Sequence, residues 1–140
     1  GHITDDRMAQ ELSGGQQQRL AFARAILPDF TVLFGDEPTG NLDSDNAVRA
    51  MDLLSSKLNK MEGSSAIIVS HDMHLSATFA DMIIKIRKEG RRVNDVKDEV
   101  AYYGIIDQTS VYTPSEDKSE WSNGIDTYKA DEFEKFLKRI

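Results

Sequence analysis

The sequence predicts an α/β fold with parallel strands, a C-terminal β-hairpin and a terminal helix. Three observations carry that expectation. Apolar residues recur at helical spacing in one run and again in a second. Short strand-like segments rich in β-branched residues, TVLFGD and SAIIV, follow those runs. Helix, strand, helix, strand and helix then alternate in order, the pattern of a parallel sheet whose strand ends carry the chemistry.

Residues 3–12 are polar and lead into the first helix. Ser13 is suited to cap it, and Gln16 completes a capping-box pattern. Leu20, Ala23, Ile26 and Leu27 form the expected apolar stripe, and Pro28 makes Leu27 the expected end. Thr31–Asp36 reads as a short buried strand with the acidic pair Asp36–Glu37 at its C-terminal end. The turn-rich EPTGNLDSDNA follows. Ser44 or Asp45 is suited to cap the next helix, whose stripe is Ala47, Val48, Met51, Leu54 and Leu58 and whose stop is Gly63. Ala66–Val69 is a second buried strand with Ser70, His71 and Asp72 at its outgoing end. Asp72 is placed to cap a helix through about Ala80.

Met82–Arg87 and Arg91–Val96, separated by Lys-Glu-Gly, read as a β-hairpin. VAYYGII fits a strand or a short helix equally. The polar stretch from Asp107 to Tyr128 reads as a loop or loosely ordered segment. The last residues read as an amphipathic helix with Phe133, Phe136, Leu137 and Ile140 on its packing face.

Bulk properties exclude several classes. The 140 residues, 39% hydrophobic and 29% charged with three prolines, fit a globular chain long enough for a real core. No apolar run approaches the ~18 residues of a membrane span. The absence of cysteine excludes disulfides and thiolate metal sites. A formal charge of −7 argues against broad nucleic-acid binding, while leaving room for a local phosphate site built from a few donors.

The candidate chemistry sits at the strand ends. Asp36, ending an apolar strand, is placed to hold Mg²⁺ through water, and Glu37 to orient or deprotonate an attacking water. Taken alone, the pair also fits a solvated acidic turn. His71 is able to reach the same edge and donate to a phosphate, or to serve as a structural hydrogen-bonding residue. His74 lies in the expected helix, and no set of convergent ligands makes the two histidines a zinc site. Ser13, Gly14 and Gly15 offer a hydroxyl and free amides at a helix N-terminus, which suits an anion or simple capping. No Lys-Ser or Lys-Thr follows these glycines to complete a phosphate-binding loop.

ELSGGQQQR, then TVLFGDEPTGNLD, then IIVSHD, in that order and at those separations, resembles the ATPase subunits of ABC transporters. The wording is nearest to bacterial ATPases of the lipoprotein-release, macrolide-export and cell-division-related branch. The resemblance covers roughly residues 5–97 and implies a partial P-loop NTPase-like three-layer fold, with 98–140 as an extension or small subdomain. It implies that Leu12–Gln16 are the signature motif: Ser13 and Gly15, with Gly14 and Gln16 beside them, face the γ-phosphate of ATP held by the opposite subunit. It further implies that Asp36 of the Walker B strand organises Mg²⁺ and that Glu37 is the catalytic base. By the same resemblance Asn41, Leu42 and Asp43 form the D-loop, and His71 is the switch histidine. Gly35 stands where the family often has another small residue, a mild departure.

The implied partners are a second ATPase subunit, a homodimer included, and transmembrane permease subunits or domains, with no nucleic acid. The implied place is cytoplasmic, peripheral at the inner face of the membrane. Transported cargo, lipid-linked, peptide-like or small-molecule, is not written in these residues.

The chain contains no GxxxxGK[ST], and none of its nine glycines precedes lysine. It is therefore expected to be the C-terminal part of an ATPase whose Walker A lies upstream, inactive alone, with apolar strands exposed by the missing sheet neighbours. The tail residues Tyr102, Tyr103, Ile105, Ile106, Val111 and Tyr112 fit a small terminal subdomain better than a cover for that surface, which pairing of two chains would also hide. Alternative readings are a non-hydrolytic regulatory or interaction domain, and a DNA-repair head whose parent would carry long coiled coils.

Overall fold

A computed structural model of the chain describes residues 14–94 and 96–139. They form two compact units, one ending at Asp72 and one starting at Met73.

The first unit contains α1 (Gly14–Ile26), β1 (Val32–Asp36), α2 (Ser44–Lys60) and β2 (Ser65–Val69). β1 and β2 pair in parallel, with Phe34 opposite Ile67 and Asp36 opposite Val69, so both strands finish at the same edge. Phe22, Ile26 and Leu54 form the buried core, against which Leu33, Ala66 and Ile68 pack from the sheet. The stripe of α1 is thus Phe22 and Ile26, rather than the expected run through Leu20 and Ala23. Leu27 lies past the helix and is exposed. In α2, Ala47 and Leu54 are buried as expected, while Val48 faces outward.

The cap of α2 is one residue earlier than expected. Asp43 accepts from Asn46 N at 2.9 Å and from Asn46 Nδ2 at 2.7 Å. An Asp in extended conformation satisfies the orphan amides of the first turn better than a serine already inside the helix. After α2, Gly63 adopts a φ of +77°, the left-handed conformation glycine tolerates best.

Both strands are half-buried rather than fully buried. Leu33, Ala66 and Ile68 face the helices; Val32, Phe34, Ile67 and Val69 alternate onto an exposed face, with Phe34 74% exposed.

The second unit contains α3 (Met73–Phe79), β3 (Ile83–Ile84), β4 (Arg87–Asn94), β5 (Glu99–Ile105), a 3₁₀ turn (Gln108–Ser110), β6 (Val111–Pro114), β7 (Glu120–Ser122), β8 (Thr127–Lys129) and α4 (Ala130–Leu137). A four-stranded sheet runs β3-β6-β7-β8, and β4 and β5 form a separate antiparallel ribbon. The core is aromatic: Tyr112, Trp121, Phe133 and Leu137 are buried, with Phe136 and Tyr128 packed against them. The terminal helix thus packs as expected through Phe133 and Leu137; Ile140 is outside the described residues.

Two expectations fail here. The hairpin is not Met82–Arg87 with Arg91–Val96 but β4 with β5, and Lys-Glu-Gly lies inside β4. Gly90 faces Tyr102, and a Cβ there would come within 2.9 Å of Val100 Cγ1, so this glycine serves close cross-strand packing rather than a turn. VAYYGII, open between strand and helix, is accordingly a strand.

The expected loop from Asp107 to Tyr128 is ordered. Short polar side chains organise its turns, leaving alternate positions free to bury Tyr112 and Trp121. Asn123 Oδ1 accepts from the amides of Ile125 and Asp126, and its Nδ2 donates to Thr109 O at 3.0 Å. Asp117 accepts from Ser115 Oγ and from both Ser119 Oγ and N. Lys118, at φ +56°, sends Nζ to Thr78 O and Ala80 O, satisfying carbonyls at the C-terminal end of α3.

Candidate functional site

The site is built where β1 and β2 end. Glu37 follows β1 directly and takes a φ of +47°, uncommon for a residue with a Cβ. Its backbone is held on both sides: its N–H donates to Val69 O at 2.8 Å, and its carbonyl accepts from Gly40 N at 3.1 Å. The carboxylate thereby turns toward the end of β2, where Glu37 Oε1 lies 3.5 Å from His71 Nε2. His71 is almost fully exposed, while Glu37 Oε1 is buried with no hydrogen-bond partner. A buried carboxylate oxygen with free lone pairs is costly unless something donates to it, which makes it a natural acceptor for a bound water.

Asp36 alternates onto the exposed face of β1. Among the described residues no group of three or more His, Asp or Glu side chains is arranged to enclose a metal. An exposed carboxylate at a strand end nevertheless fits magnesium, which keeps most of its waters and takes one or two carboxylates plus substrate phosphates.

The N-terminal end of α1 packs on the same turn. Gly14 is open, with nothing within 4 Å of a notional Cβ, whereas at Gly15 such an atom would sit 3.4 Å from Asn41 O. Gln16 is exposed, and Ser13 and Leu12 lie outside the described residues. Asp43 is used structurally, as the α2 cap, and Asn46 holds its carboxyl below the usual carboxylate range.

One residue was passed over in the sequence. Gln18 Nε2 donates to Pro38 O at 2.9 Å and Glu37 O at 3.3 Å, and Gln18 Oε1 accepts from Asn41 N at 2.7 Å. The signal was legible: Gln18, Phe22 and Ile26 share one stripe at a spacing of four, so a polar side chain stands on the buried face of α1. Such a residue calls for polar partners.

The first forty residues match the family model described as "ABC transporter". The chain is 41% identical, over 79% of its length, to an ABC transporter ATP-binding protein, YvcR, of Bacillus subtilis, and covers 42% of that protein. It is likewise 41% identical to a macrolide export ATP-binding/permease protein, MacB, of Campylobacter fetus, covering 79% of this chain and 16% of the relative. Against MacB of Shewanella oneidensis the identity is 48% over 64% of this chain. This chain belongs to the ABC-transporter ATP-binding domains, in the branch related to macrolide and lipoprotein export. Its mixed fold, with a parallel pair, antiparallel sheets and a C-terminal helix, is consistent with a partial P-loop NTPase-like domain. The chain spans less than half the length of these curated relatives. Among the described residues no helix is long and apolar enough to cross a membrane.

Proposed function

We propose that the chain is the signature-bearing, C-terminal part of an ABC ATPase whose hydrolysis of ATP drives a membrane permease. The observation that carries this reading is the pairing of Glu37 and His71. They follow adjacent parallel strands and meet at 3.5 Å, and the buried Glu37 Oε1 has no hydrogen bond among the described residues. In this reading Glu37 accepts the proton of the water that attacks the γ-phosphorus, and His71 donates to the γ-phosphate. Asp36 would hold a magnesium ion, whose chemistry is to offset charge on the phosphate oxygens. Ser13, Gly14, Gly15 and Gln16 would face ATP bound to the opposing subunit, with Asn41–Asp43 at the interface.

Residues 1–97 are proposed as the C-terminal part of the ATPase domain and 98–140 as a C-terminal extension or small subdomain. Matches over 79% of the chain reach past residue 97, which supports a tail shared with relatives. The proposed partners are a second ATPase subunit, a homodimer included, and the permease, at the cytoplasmic face of the membrane. The name MacB, "ATP-binding/permease protein", supports that pairing. The 140 residues contain no GxxxxGK[ST] clamp, so the isolated chain is proposed to be inactive.

The test is magnesium-dependent ATP hydrolysis by the full-length ATPase carrying Glu37→Gln. A fall of roughly 100-fold or more in kcat with ATP binding retained is expected for loss of a general base. Turnover at the wild-type rate would remove Glu37 from the role.

A further inference from the structure

We propose that Gln18 is a positioning residue for catalysis: its amide locks the first turns of α1 to the Glu37–Asn41 turn and so fixes where the Glu37 carboxylate stands. The inference rests on the functional reading above and extends it to a residue within α1 itself.

Among the described residues, the hydrogen bonds of the Gln18 amide all go to one short turn. It donates to the carbonyls of Glu37 and Pro38 and accepts the amide of Asn41. A second observation is independent of it: a Cβ at Gly15, one turn nearer the start of α1, would sit 3.4 Å from Asn41 O, in van der Waals contact with the same turn. The helix therefore meets the turn through hydrogen bonds and through van der Waals contact together.

That turn needs holding. Glu37 occupies the left-handed region, at φ +47°, where a side-chain-bearing residue persists only when its surroundings over-determine it. Its N–H is fixed by Val69 O, and its carbonyl by Gly40 N–H within the turn and by Gln18 from α1. Without Gln18 the carbonyls of Glu37 and Pro38 lose these bonds to α1, and the turn is left to its internal bonds, Gly40 N–H to Glu37 O and Leu42 N–H to Thr39 O, which do not tie it to the helix. The Glu37 carboxylate, one peptide away, then samples several positions instead of one facing His71. Displacement of a catalytic group by about 1 Å costs on the order of 100-fold in rate. The same link ties the phosphate-facing end of α1 to the base of its own subunit, so an ordered α1 and a placed Glu37 go together.

The experiment uses the full-length ATPase with Gln18→Leu, which keeps a side chain of comparable bulk but removes both polar ends. Gln18→Glu is the companion: it keeps an acceptor for Asn41 N–H and loses the donation to the two carbonyls. Steady-state hydrolysis is measured with amide hydrogen exchange on the same samples. Expected for Gln18→Leu are a kcat lowered by roughly 10- to 100-fold, a KM for magnesium-ATP within about twofold, an unshifted thermal midpoint, and faster exchange at Asn41. Expected for Gln18→Glu are a lowered kcat with Asn41 exchange near that of the wild type. Should Gln18→Leu fail to fold, wild-type kcat in Gln18→Glu overturns the proposal on its own. Wild-type kcat in Gln18→Leu overturns it as well, as does a loss of kcat that only tracks a fall in thermal midpoint. A wild-type protein that hydrolyses no ATP defeats the functional reading instead. Exchange then decides the geometric claim, and unchanged Asn41 exchange in Gln18→Leu overturns it.

Discussion

Phe133→Ala should unfold most of the second unit, and the size of the effect follows from its surroundings. Phe133 is fully buried on α4. Its ring stacks on Trp121 at 5.0 Å between centroids and meets Tyr112 at 5.1 Å, Tyr128 at 6.1 Å and Phe136 at 6.0 Å. Removing a buried Phe side chain costs about 3–5 kcal/mol, through lost transfer energy and the cavity left behind. The aromatic pairs act in the same direction, about 0.5–1.5 kcal/mol for each, although they do not add fully. At ~0.05–0.15 kcal/mol per residue, a unit of this size holds about 3–10 kcal/mol in total. The substitution therefore removes a large share of what is there.

The chain has one tryptophan, Trp121, and it lies against the ring being removed. Its fluorescence in a urea titration reads the second unit directly. Small units lose stability at about 1 kcal/mol per molar urea, so the midpoint should fall by roughly 3 M or more, or the unit should be open in buffer. Phe133→Leu, closer in volume, should fall by about 1.5 M or less. A Phe133→Ala midpoint within about 0.5 M of wild type would refute the aromatic core as the support of this unit.

Further outcomes are expected elsewhere. Asp117 is held at a pKa of about 2 against an ordinary 3.8, first by the Ser119 hydroxyl and then by the Ser119 amide and Ser115 hydroxyl. A depressed folded-state pKa stabilises above the ordinary value, and that contribution fades as pH falls from about 3.8 through about 2. Carboxyl NMR should place the Asp117 midpoint near 2, and Ser119→Ala should move it toward 3.8; an unmoved midpoint would contradict the assigned cause. At Gly35 a Cβ would meet Ile68 Cδ1 at 2.8 Å and Pro38 Cγ at 3.2 Å. The isoleucine tip can rotate away, so Gly35→Ala should be mild, whereas Gly35→Val should cost about 1–3 kcal/mol of overpacking in chemical denaturation. Equal stability for both variants would argue against a tight β1–β2 contact.

The first unit was largely legible because its signals are local. Helical spacing gave α1 and α2, β-branched runs gave β1 and β2, and the parallel pairing then set Glu37 beside His71. What escaped there concerns partners distant in sequence. Gln18 is one polar residue on an apolar stripe until the fold brings the Glu37–Asn41 turn against it, and the choice of Asp43 over Ser44 as cap depends on where the chain leaves extended geometry. The second unit misled more. Its strands are only a few residues long and dominated by Ser, Thr, Asp and Asn, whose turn propensity masks the alternation that buries Tyr112 and Trp121. Gly90 was read as a turn glycine by local preference, whereas packing against Tyr102 sets its place within β4.

The most direct test is a magnesium-ATP titration of the 140-residue chain beside the same chain joined to the Walker A-bearing half proposed to precede it. Weak or undetectable binding and no turnover by the short chain, with tight binding and Glu37-dependent hydrolysis by the longer one, is the result the account requires. Tight magnesium-dependent ATP binding by the short chain alone would contradict it.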